Sequence, residues 1–331
     1  MSRLLLVSDL HLTDRPQDEY RWKVFDQLSA LCQDYPTTLW ILGDLTETKD
    51  YHSSRLVNRV VNALRDTRRK SKINEVHILK GNHDGIDPNW PYFGFLSALP
   101  WCTFHINPTF IEHDRILALP HTRNYEKDWA NVDWENAELV FAHCTVKGAK
   151  SETGITLDGI PDSAFNNCPG ERWCGDVHVP QVVGRVHYVG APYPIRYGDA
   201  YQGRCVCIGQ SRKHSSHGLQ NISKPVITIT PATKQFPKVN AGDQVKVRIE
   251  LDQTSLGMWH DLRRKAQAWC KEQGAILGAC ELSKSKETAE GEPKARRSAK
   301  TRTPLDFFEH YATSLDEGTK QLGREFLTEG T

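Results

Sequence analysis

The chain has 331 residues, with 42 Lys and Arg against 41 Asp and Glu, so its formal charge is only +1. This balance excludes a uniformly basic nucleic-acid-binding protein and leaves room only for a local basic face. No apolar stretch approaches a membrane span, and residues 4–7 are too short for a signal-peptide core, so we expect a soluble, cytoplasmic protein without a membrane partner. Nine cysteines without CxxC pairs favour a reducing compartment; a zinc site at Cys168 and Cys174, or at Cys205 and Cys207, is the alternative.

The first third of the chain alternates predicted strands and helices. Buried strands are predicted at 3–7, 39–42 and 76–79, where apolar residues run without interruption. Helices are predicted at 20–32 and 53–68, where apolar residues recur at helical spacing. This alternation is typical of an α/β fold.

From residue 103 onward the predicted elements become shorter. Strand candidates punctuated by Gly and Pro lie at 110–111, 116–119, 139–142, 181–183, 188–190 and 205–208. Such short strands indicate a sandwich. We therefore expect a two-sheet α/β sandwich flanked by helices.

The chain beyond residue 210 predicts a second, smaller α/β domain and a helical end. After a polar stretch at 211–223, strands are predicted at 226–229 and 244–251 and an amphipathic helix at 256–273. The following basic segment has almost no apolar side chains and cannot order itself, whereas the last segment has a helical apolar pattern that must pack on its own domain or on a partner. The predicted parts are a catalytic domain (1–222), a small domain (223–282), a flexible basic linker (283–303) and C-terminal helices (304–331).

Short polar motifs follow several of the apolar runs. They are Ser8-Asp9-Leu10-His11, Gly43-Asp44-Leu45, Gly81-Asn82-His83-Asp84, Ala142-His143 and Gly175-Asp176-Val177-His178. Carboxylates, imidazoles and one amide are thereby delivered to the ends of strands. Two divalent ions about 3.5 to 4 Å apart need such a set, with one carboxylate that bridges them, to hydrolyse a phosphate ester near neutral pH.

Each of these residues can be given a role in that chemistry. Asp9, His11 and His178 hold one metal, Asp44 bridges, and Asn82, His143 and Asp176 hold the other. His83 stabilises the leaving oxygen or protonates it, and Asp84 is its orienting partner.

The order of these motifs resembles the pattern of calcineurin-like metallophosphoesterases, which is Asp-X-His, Gly-Asp, Gly-Asn-His, a lone His and Gly-His-X-His. The resemblance covers about residues 1 to 210. Within this family the chain is most similar to the SbcD nucleases of double-strand-break repair and their eukaryotic and phage relatives. The stretches that carry this similarity are Val177-His178-Val179-Pro180-Gln181, Gly190-Ala191-Pro192 and Tyr197-Gly198-Asp199-Ala200.

The resemblance implies a metal-dependent DNA nuclease, exo- or endonucleolytic, in a recombination or repair complex. The small domain from Val226 resembles the family's capping domain, which recognises DNA. The terminal helices resemble those that bind an SbcC-like, SMC-family coiled-coil ATPase. A homodimer is also implied, in the cytoplasm, or in the host cytoplasm for a phage protein.

One motif departs from the family pattern. Asp176 stands where the family has the first histidine of its last motif. As a ligand, this aspartate adds negative charge and a harder donor, which favours Mn²⁺, with Mg²⁺ as the second choice, over Zn²⁺. The alternative is that Asp176 only hydrogen-bonds nearby and that one metal position is weak.

Substrate contacts are predicted at His52, Ser53 and Arg55. They begin the helix after Gly43-Asp44, resemble the family's histidine-containing loop near the DNA backbone, and place phosphate at a helix N-terminus. The alternative is that Ser53 only caps the helix.

Two further sets of residues have a structural and a nucleic-acid interpretation. The basic run at Arg65, Arg68, Arg69, Lys70 and Lys72 either follows a phosphate backbone or forms a solvated helix end. Tyr51, Tyr193 and Arg196 are candidates for contact with a nucleotide, and for Tyr193, beside Pro192 and Pro194, packing in the core is the favoured alternative.

Three functions thus remain open from the sequence. The first is the DNA nuclease, the second a stand-alone phosphatase or cyclic-nucleotide phosphodiesterase acting on a small phosphoester, and the third a scaffold with a degraded site. The predicted capping domain and terminal helices favour the first, and the intact motifs argue against the third.

Overall fold

The computed structural model describes residues 3–165, 167–284 and 320–321. Its strands are β1 (Arg3–Val7), β2 (Thr37–Ile41), β3 (Ile73–Leu79), β4 (Cys102–His105), β5 (Thr109–Ile111), β6 (Ile116–Leu119), β7 (Leu139–His143), β8 (Glu171–Gly175), β9 (Gln181–Val183), β10 (Val186–Tyr188), β11 (Arg204–Ile208), β12 (His214–Gly218), β13 (Val226–Ile229), β14 (Gln244–Leu251) and β15 (Ile276–Lys284). The α-helices are α1 (Lys23–Leu31), α2 (Ser54–Arg69), α3 (Tyr125–Asp128) and α4 (Trp259–Glu272), with 3-10 turns at Pro16–Trp22, Tyr92–Ala98, Asp162–Phe165 and Leu256–Met258.

Two six-stranded sheets form the larger part of the fold. The first has the order β12-β11-β1-β2-β3-β4, and its strands β1 to β4 are parallel. The second has the order β5-β6-β7-β8-β10-β9, and β6, β7, β8 and β10 are parallel. Antiparallel strands complete the edges of both sheets.

The sheets pack face to face through large apolar side chains. Leu4, Leu6 and Trp40 of the first sheet share one buried cluster with Phe141 and Trp173 of the second. Alternate residues of the same strands point the other way, where α1 and α2 cover the outer face of the first sheet. Strands buried on both faces read as uninterrupted apolar runs, which is why they were predictable. The predicted two-sheet α/β sandwich is confirmed.

A third sheet, β13-β14-β15, lies C-terminal to the sandwich and has its own core. Strands β13 and β14 are parallel, and α4 packs against β14 through Leu262, Ala266 and Trp269. The predicted linker at 283–303 and the helices at 304–331 lie outside the described residues, apart from 283–284 and the helical pair 320–321. No helix in the described part of the chain has the length and apolar character needed to cross a membrane.

Four strands were not predicted. β4, β8 and β15 are absent from the predicted elements, and β12 lies in the polar stretch at 211–223 that was interpreted as a separator. β12 is an edge strand of mostly exposed residues, so it lacks the apolar pattern by which strands are found. The polar stretch therefore completes the first sheet.

Candidate metal centre

The seven predicted ligands lie where five strands end. Asp9 and His11 follow β1, Asp44 follows β2, Asn82 follows β3, His143 ends β7, and Asp176 and His178 follow β8. The carboxyl ends of neighbouring parallel strands meet at one edge, so each sheet brings its ligands together. Residues from both sheets line one cleft of about 250 Å³.

The turns that carry the ligands have unusual backbone conformations. Six non-glycine residues among those described have positive φ, and four of them are predicted ligands: Asp9 (54°), His11 (42°), Asp44 (54°) and Asp176 (83°). The left-handed region costs an L-residue roughly 1 to 2 kcal/mol. Such strain concentrates at functional sites, where the surrounding structure compensates for it.

Two glycines let the ligand loops approach each other closely. Gly43 has a φ of 92°, and a Cβ there would lie 2.0 Å from Nδ1 of His143. A Cβ on Gly81 would lie 2.1 Å from Oδ1 of Asp44. The glycines of the Gly-Asp and Gly-Asn-His motifs are thus needed to bring side chains from different strands together.

The first predicted metal position lies between β1 and β8. Nε2 of His11 and Nε2 of His178 are 3.1 Å apart, and Asp9 completes a set whose ligand atoms lie within 4.8 Å of one another. Neighbouring ligands of one ion at about 2.1 Å are separated by roughly 3 Å. The two imidazoles therefore have the spacing of neighbours on one ion.

The second position is marked by acceptor atoms that face each other. The Asn82 side-chain oxygen lies 3.0 and 2.9 Å from the two carboxylate oxygens of Asp44, and turning the amide would place donors there instead. With the oxygen inward, the contact is repulsive unless a cation lies between the groups. His143 is the third member, with Nε2 3.3 Å from the Asn82 oxygen.

Asp44 lies between the two positions. Its Oδ2 is 3.6 Å from Nε2 of His11, and its Oδ1 is 3.5 Å from Nε2 of His143. The carboxylate is 2 % exposed, and the backbone N–H of His83 donates to Oδ1 at 2.8 Å. One oxygen toward each imidazole is the placement expected of a bridging ligand.

Asp176 reaches the second position but is shared with a protein donor. Its Oδ1 lies 3.7 Å from Nε2 of His143, and Thr145 donates to its Oδ2. Its backbone N–H donates to Asp9 Oδ1 at 3.0 Å, so this residue ties the two positions together. One carboxylate oxygen thus faces the other ligands while the second oxygen is hydrogen-bonded. Asp176 therefore has both the position of a ligand and the nearby hydrogen bond that the sequence analysis gave as alternatives. Together the seven side chains offer carboxylate, amide and imidazole donors that fit two hard divalent ions.

Burial and crowding of like charges shift the pKa values of this set. Burial raises the pKa of Asp9, raises that of Asp44 well above its usual range, and lowers that of His11 well below its own. Burial also opposes protonation of His143, but the carboxylates of Asp44, Asp176 and Asp9 prevail and raise its pKa to about 9. Without metal the buried carboxylates are therefore balanced by protons, which bound dications would replace.

Two glutamates that the sequence did not indicate lie beside the Nδ1 atoms of the histidines of the first position. Oε1 of Glu152 lies 2.6 Å from Nδ1 of His178, and this contact lowers the pKa of Glu152 to about 2. Oε2 of Glu47 lies 3.5 Å from Nδ1 of His11, and Arg21 donates to that oxygen at 3.1 Å and to the His11 carbonyl. A carboxylate on Nδ1 directs Nε2 toward a metal. Neither glutamate belongs to a recognisable motif.

His83 lies in the wall of the cleft, beside the first metal position. Its ring centroid is 4.9 Å from that of His11. Its Nδ1 lies 2.7 Å from the carbonyl oxygen of Glu47, which accepts the Nδ1–H. That hydrogen bond fixes the ring and leaves Nε2 for a substrate oxygen.

The prediction that Asp84 orients His83 is wrong. The Asp84 carboxylate is fully buried and accepts three backbone N–H groups, from Asp44 (3.0 Å), Leu45 (3.0 Å) and Gly81 (2.6 Å). Asp84 therefore joins the Gly-Asp loop to the Gly-Asn-His loop. The carbonyl of Glu47, from a neighbouring loop, has the orienting role instead.

The predicted substrate contacts at the start of α2 have structural partners. Ser53 caps the helix by accepting the Leu56 N–H at 3.0 Å, and it donates to Asp14. Nε2 of His52 lies 2.8 Å from the Thr46 hydroxyl, and burial lowers the pKa of this imidazole. Arg55 is exposed on the first turn of α2. None of the three predicted contact residues lines the metal cleft, and their contact with substrate stays a prediction.

Of the remaining residues that the sequence suggested for nucleic-acid or metal binding, some have structural contacts and one lines the cleft. In the basic run, Arg68 donates to the Asn74 carbonyl and Lys70 pairs with Asp26, at the end of α2 that is remote from the cleft. Tyr193 is buried and donates to the Leu10 carbonyl, as its core interpretation predicts. Arg196 lines the cleft, and Tyr51 is 91 % exposed. In the described part of the chain no cysteine belongs to a group able to hold a metal.

The comparisons with known proteins agree with this geometry. The model of the calcineurin-like phosphoesterase family matches residues 2–190, which is more than half of the chain. No curated protein matches the chain significantly. The match spans all seven predicted ligands and His83. The chain belongs to the calcineurin-like phosphoesterases, a family of metal-dependent hydrolases of phosphoesters.

Proposed function

We propose that the chain is the nuclease subunit of an SbcCD-like DNA-processing complex and hydrolyses DNA phosphodiesters with two divalent ions. The observation that carries this proposal is the grouping of the predicted ligands at one cleft. Five of them and His83 line it, and the buried Asp9 and His143 have ligand atoms within 4.8 Å of that of Asp44. When bound, two dications would neutralise the phosphoryl oxygens and lower the pKa of a water molecule. The donor set favours Mn²⁺, with Mg²⁺ as the second choice.

The protein's own residues complete the reaction. Hydrolysis joins a water oxygen to phosphorus, breaks the phosphorus–ester bond, and delivers a proton to the leaving oxygen. His83 is placed for the last step, because its Nδ1–H is held by the Glu47 carbonyl and its Nε2 is left for the ester oxygen. As an imidazolium, it stabilises negative charge on that oxygen and then donates its proton.

The attachment of the third sheet favours DNA over a small phosphoester. Lys224 precedes β13; its Nζ donates to the Ile195 carbonyl at 3.1 Å, and its own carbonyl accepts the Gly198 N–H at 2.7 Å. Arg196 lies between these two anchors and lines the metal cleft. A small ester needs no such attachment, whereas a strand of DNA that left the cleft past Arg196 would pass the segment that Lys224 anchors.

A substrate panel tests the proposal. The purified full chain is assayed with Mn²⁺ on linear duplex DNA, single-stranded DNA and bis-p-nitrophenyl phosphate. Asp44→Ala and His83→Ala are compared with Asp34→Ala and His113→Ala, which alter exposed residues away from the cleft. We expect cleavage of DNA and of the diester, both abolished by Asp44→Ala and unchanged in the controls. His83→Ala should strongly reduce cleavage of DNA and reduce that of the diester less.

Other outcomes of this panel separate the alternatives. Cleavage of the diester but of no DNA, even with a candidate ATPase present, would refute the nuclease and favour a stand-alone phosphatase or cyclic-nucleotide phosphodiesterase. Hydrolysis of no substrate would favour the scaffold.

We also propose that residues 304–331 bind an SbcC-like ATPase, that the chain forms a homodimer, and that it acts in the cytoplasm, the host's for a phage protein. Deletion of 304–331 should abolish co-purification with the coiled-coil ATPase and leave Mn²⁺-dependent diester hydrolysis intact. A deletion variant that still binds the ATPase would contradict the partner assignment.

A further inference from the structure

A second cavity opens beside the metal cleft, where three loops converge. The loops comprise residues 46–53, 80–91 and 121–128. The Ile86 N–H donates to Asp50 at 3.0 Å, Arg123 donates to the Ile86 carbonyl at 3.3 Å, and the His121 N–H donates to the Lys80 carbonyl at 2.7 Å. These bonds join the loops around a cavity of about 270 Å³.

The lining of this cavity is strongly cationic, and we call it the cationic pocket. Four basic side chains line it, Lys49, Lys80, Arg123 and Lys127, against the carboxylate of Asp128. This local charge contrasts with the near-neutral whole chain. Lys80 is 8 % exposed and is held by the Pro88 carbonyl at 2.8 Å, so one of the cations is fixed in the wall. A concave basic surface of this kind attracts a polyanion.

The cationic pocket and the metal cleft share one lining residue. Asn82 lines both cavities and is itself a predicted ligand of the second metal. The two cavities thus adjoin at this ligand.

Large aromatic side chains stand exposed on two of the same loops. Trp90 is 79 % exposed and Tyr51 is 91 % exposed. Their backbones are ordered by local hydrogen bonds, since the Trp90 N–H donates to the Asp87 carbonyl and the Tyr51 carbonyl accepts from Thr48. Exposed rings on loops that also line a basic cavity are elements on which unpaired bases can stack.

We propose that the cationic pocket with Trp90 and Tyr51 is a binding subsite for a single strand of nucleic acid. The basic side chains hold the phosphate next to the one in the metal cleft, and the two rings stack on unpaired bases. The subsite rests on the proposed nuclease function, which it deepens: an end is engaged as frayed single strand rather than as closed duplex. Base stacking tolerates any sequence, so the subsite gives no base specificity.

Binding without cleavage tests this subsite directly. A fluorescein-labelled oligothymidylate is titrated with the full chain in EDTA, and Kd is read from fluorescence anisotropy. We expect the combined variant Lys49→Gln, Arg123→Gln and Lys127→Gln to weaken binding at least tenfold and to flatten the salt dependence. Trp90→Ala should weaken binding about tenfold, whereas Trp90→Phe, which keeps a ring, should stay within about threefold.

Matched variants control for general charge and for folding. The combined variant Arg65→Gln, Lys70→Gln and Lys72→Gln removes three cations at the far end of α2, and Tyr35→Ala removes an aromatic ring that is 62 % exposed. Both should bind the oligonucleotide like the wild type. All variants should keep the wild-type melting temperature, since the substituted side chains are exposed.

The outcomes distinguish the subsite from the nuclease itself. Unchanged Kd in the triple pocket variant and in Trp90→Ala overturns the subsite, whatever the activity. Equal losses on a closed hairpin duplex also overturn it, because they assign the pocket to duplex backbone. If the pocket variants lose oligonucleotide binding and the wild type cleaves no DNA with Mn²⁺, the subsite stands and the nuclease proposal falls.

Discussion

Replacement of Glu152 tests whether the structure assigns the metal-holding groups correctly. This carboxylate lies 2.6 Å from Nδ1 of His178, at ion-pair distance. Its side chain is 15 % exposed, so water replaces the contact poorly. Glu152→Gln keeps the size and an acceptor but loses the charge, and Glu152→Ala loses both.

The expected loss of metal affinity can be taken from other carboxylates that contact a metal-bound histidine. Removing the partner of a metal-bound histidine typically lowers metal affinity by about 10- to 100-fold, or roughly 1.4 to 2.8 kcal/mol. We expect Glu152→Gln near the lower value and Glu152→Ala near the upper one. Only the metal held by His178 should be affected, and kcat at saturating Mn²⁺ should remain close to that of the wild type.

Calorimetric titration with Mn²⁺ measures this effect, because two binding events of different affinity can be separated. Glu112→Gln, in the exposed turn between β5 and β6, is the matched control. The reasoning is refuted if Glu152→Ala binds both ions with wild-type affinity. It is also refuted if affinity is unchanged while kcat falls, since Glu152 would then act on the substrate.

Three further predictions follow from the same site. His83→Ala should lower kcat on DNA about 10²-fold with unchanged Mn²⁺ content, and less on bis-p-nitrophenyl phosphate, whose leaving group needs little protonation; equal losses on both substrates would contradict the assignment. Gly81→Ala should lower both the melting temperature and the Mn²⁺ content, because its Cβ would meet Asp44, whereas Gly257→Ala, whose Cβ meets no atom within 4 Å, should lower neither. In EDTA, the pKa of His143 is raised from 6.5 to about 9. The contribution of its imidazolium to the free energy of unfolding is therefore complete below pH 6.5 and is lost as the pH rises through 9. A midpoint of urea unfolding that stays constant between pH 6.5 and 9 in the wild type would disprove the shift.

The positions of most ligands were predictable because they depend on local patterns. An uninterrupted apolar run such as Leu4 to Val7 predicts a buried strand, and parallel strands place whatever follows them at one edge of a sheet. The sequence alone thus predicts that Asp9, Asp44 and Asn82 lie close together. The ring of His83 could likewise be placed near a ligand, because it follows Asn82.

The partners of these residues could not be predicted, because loops decide them. Glu152 lies in the loop after β7, and nothing in its neighbours indicates that it turns back to His178. The carboxylate of Glu47 likewise lies beside Nδ1 of a histidine, His11, at 3.5 Å. Asp84 follows His83 in the chain, yet its carboxylate accepts backbone N–H groups such as that of Asp44 and makes no hydrogen bond with the ring of His83. Adjacency in sequence does not determine the direction of a side chain in a tight turn.

The most direct test of the two-metal site is electron paramagnetic resonance of the Mn²⁺-loaded protein, combined with its metal content. We predict two Mn²⁺ per chain with a spin-coupled signal, because the Asp44 carboxylate lies between the two positions, and loss of the coupling in Asp44→Ala. A single Mn²⁺ per chain at saturation, with the signal of an isolated ion, would contradict the account.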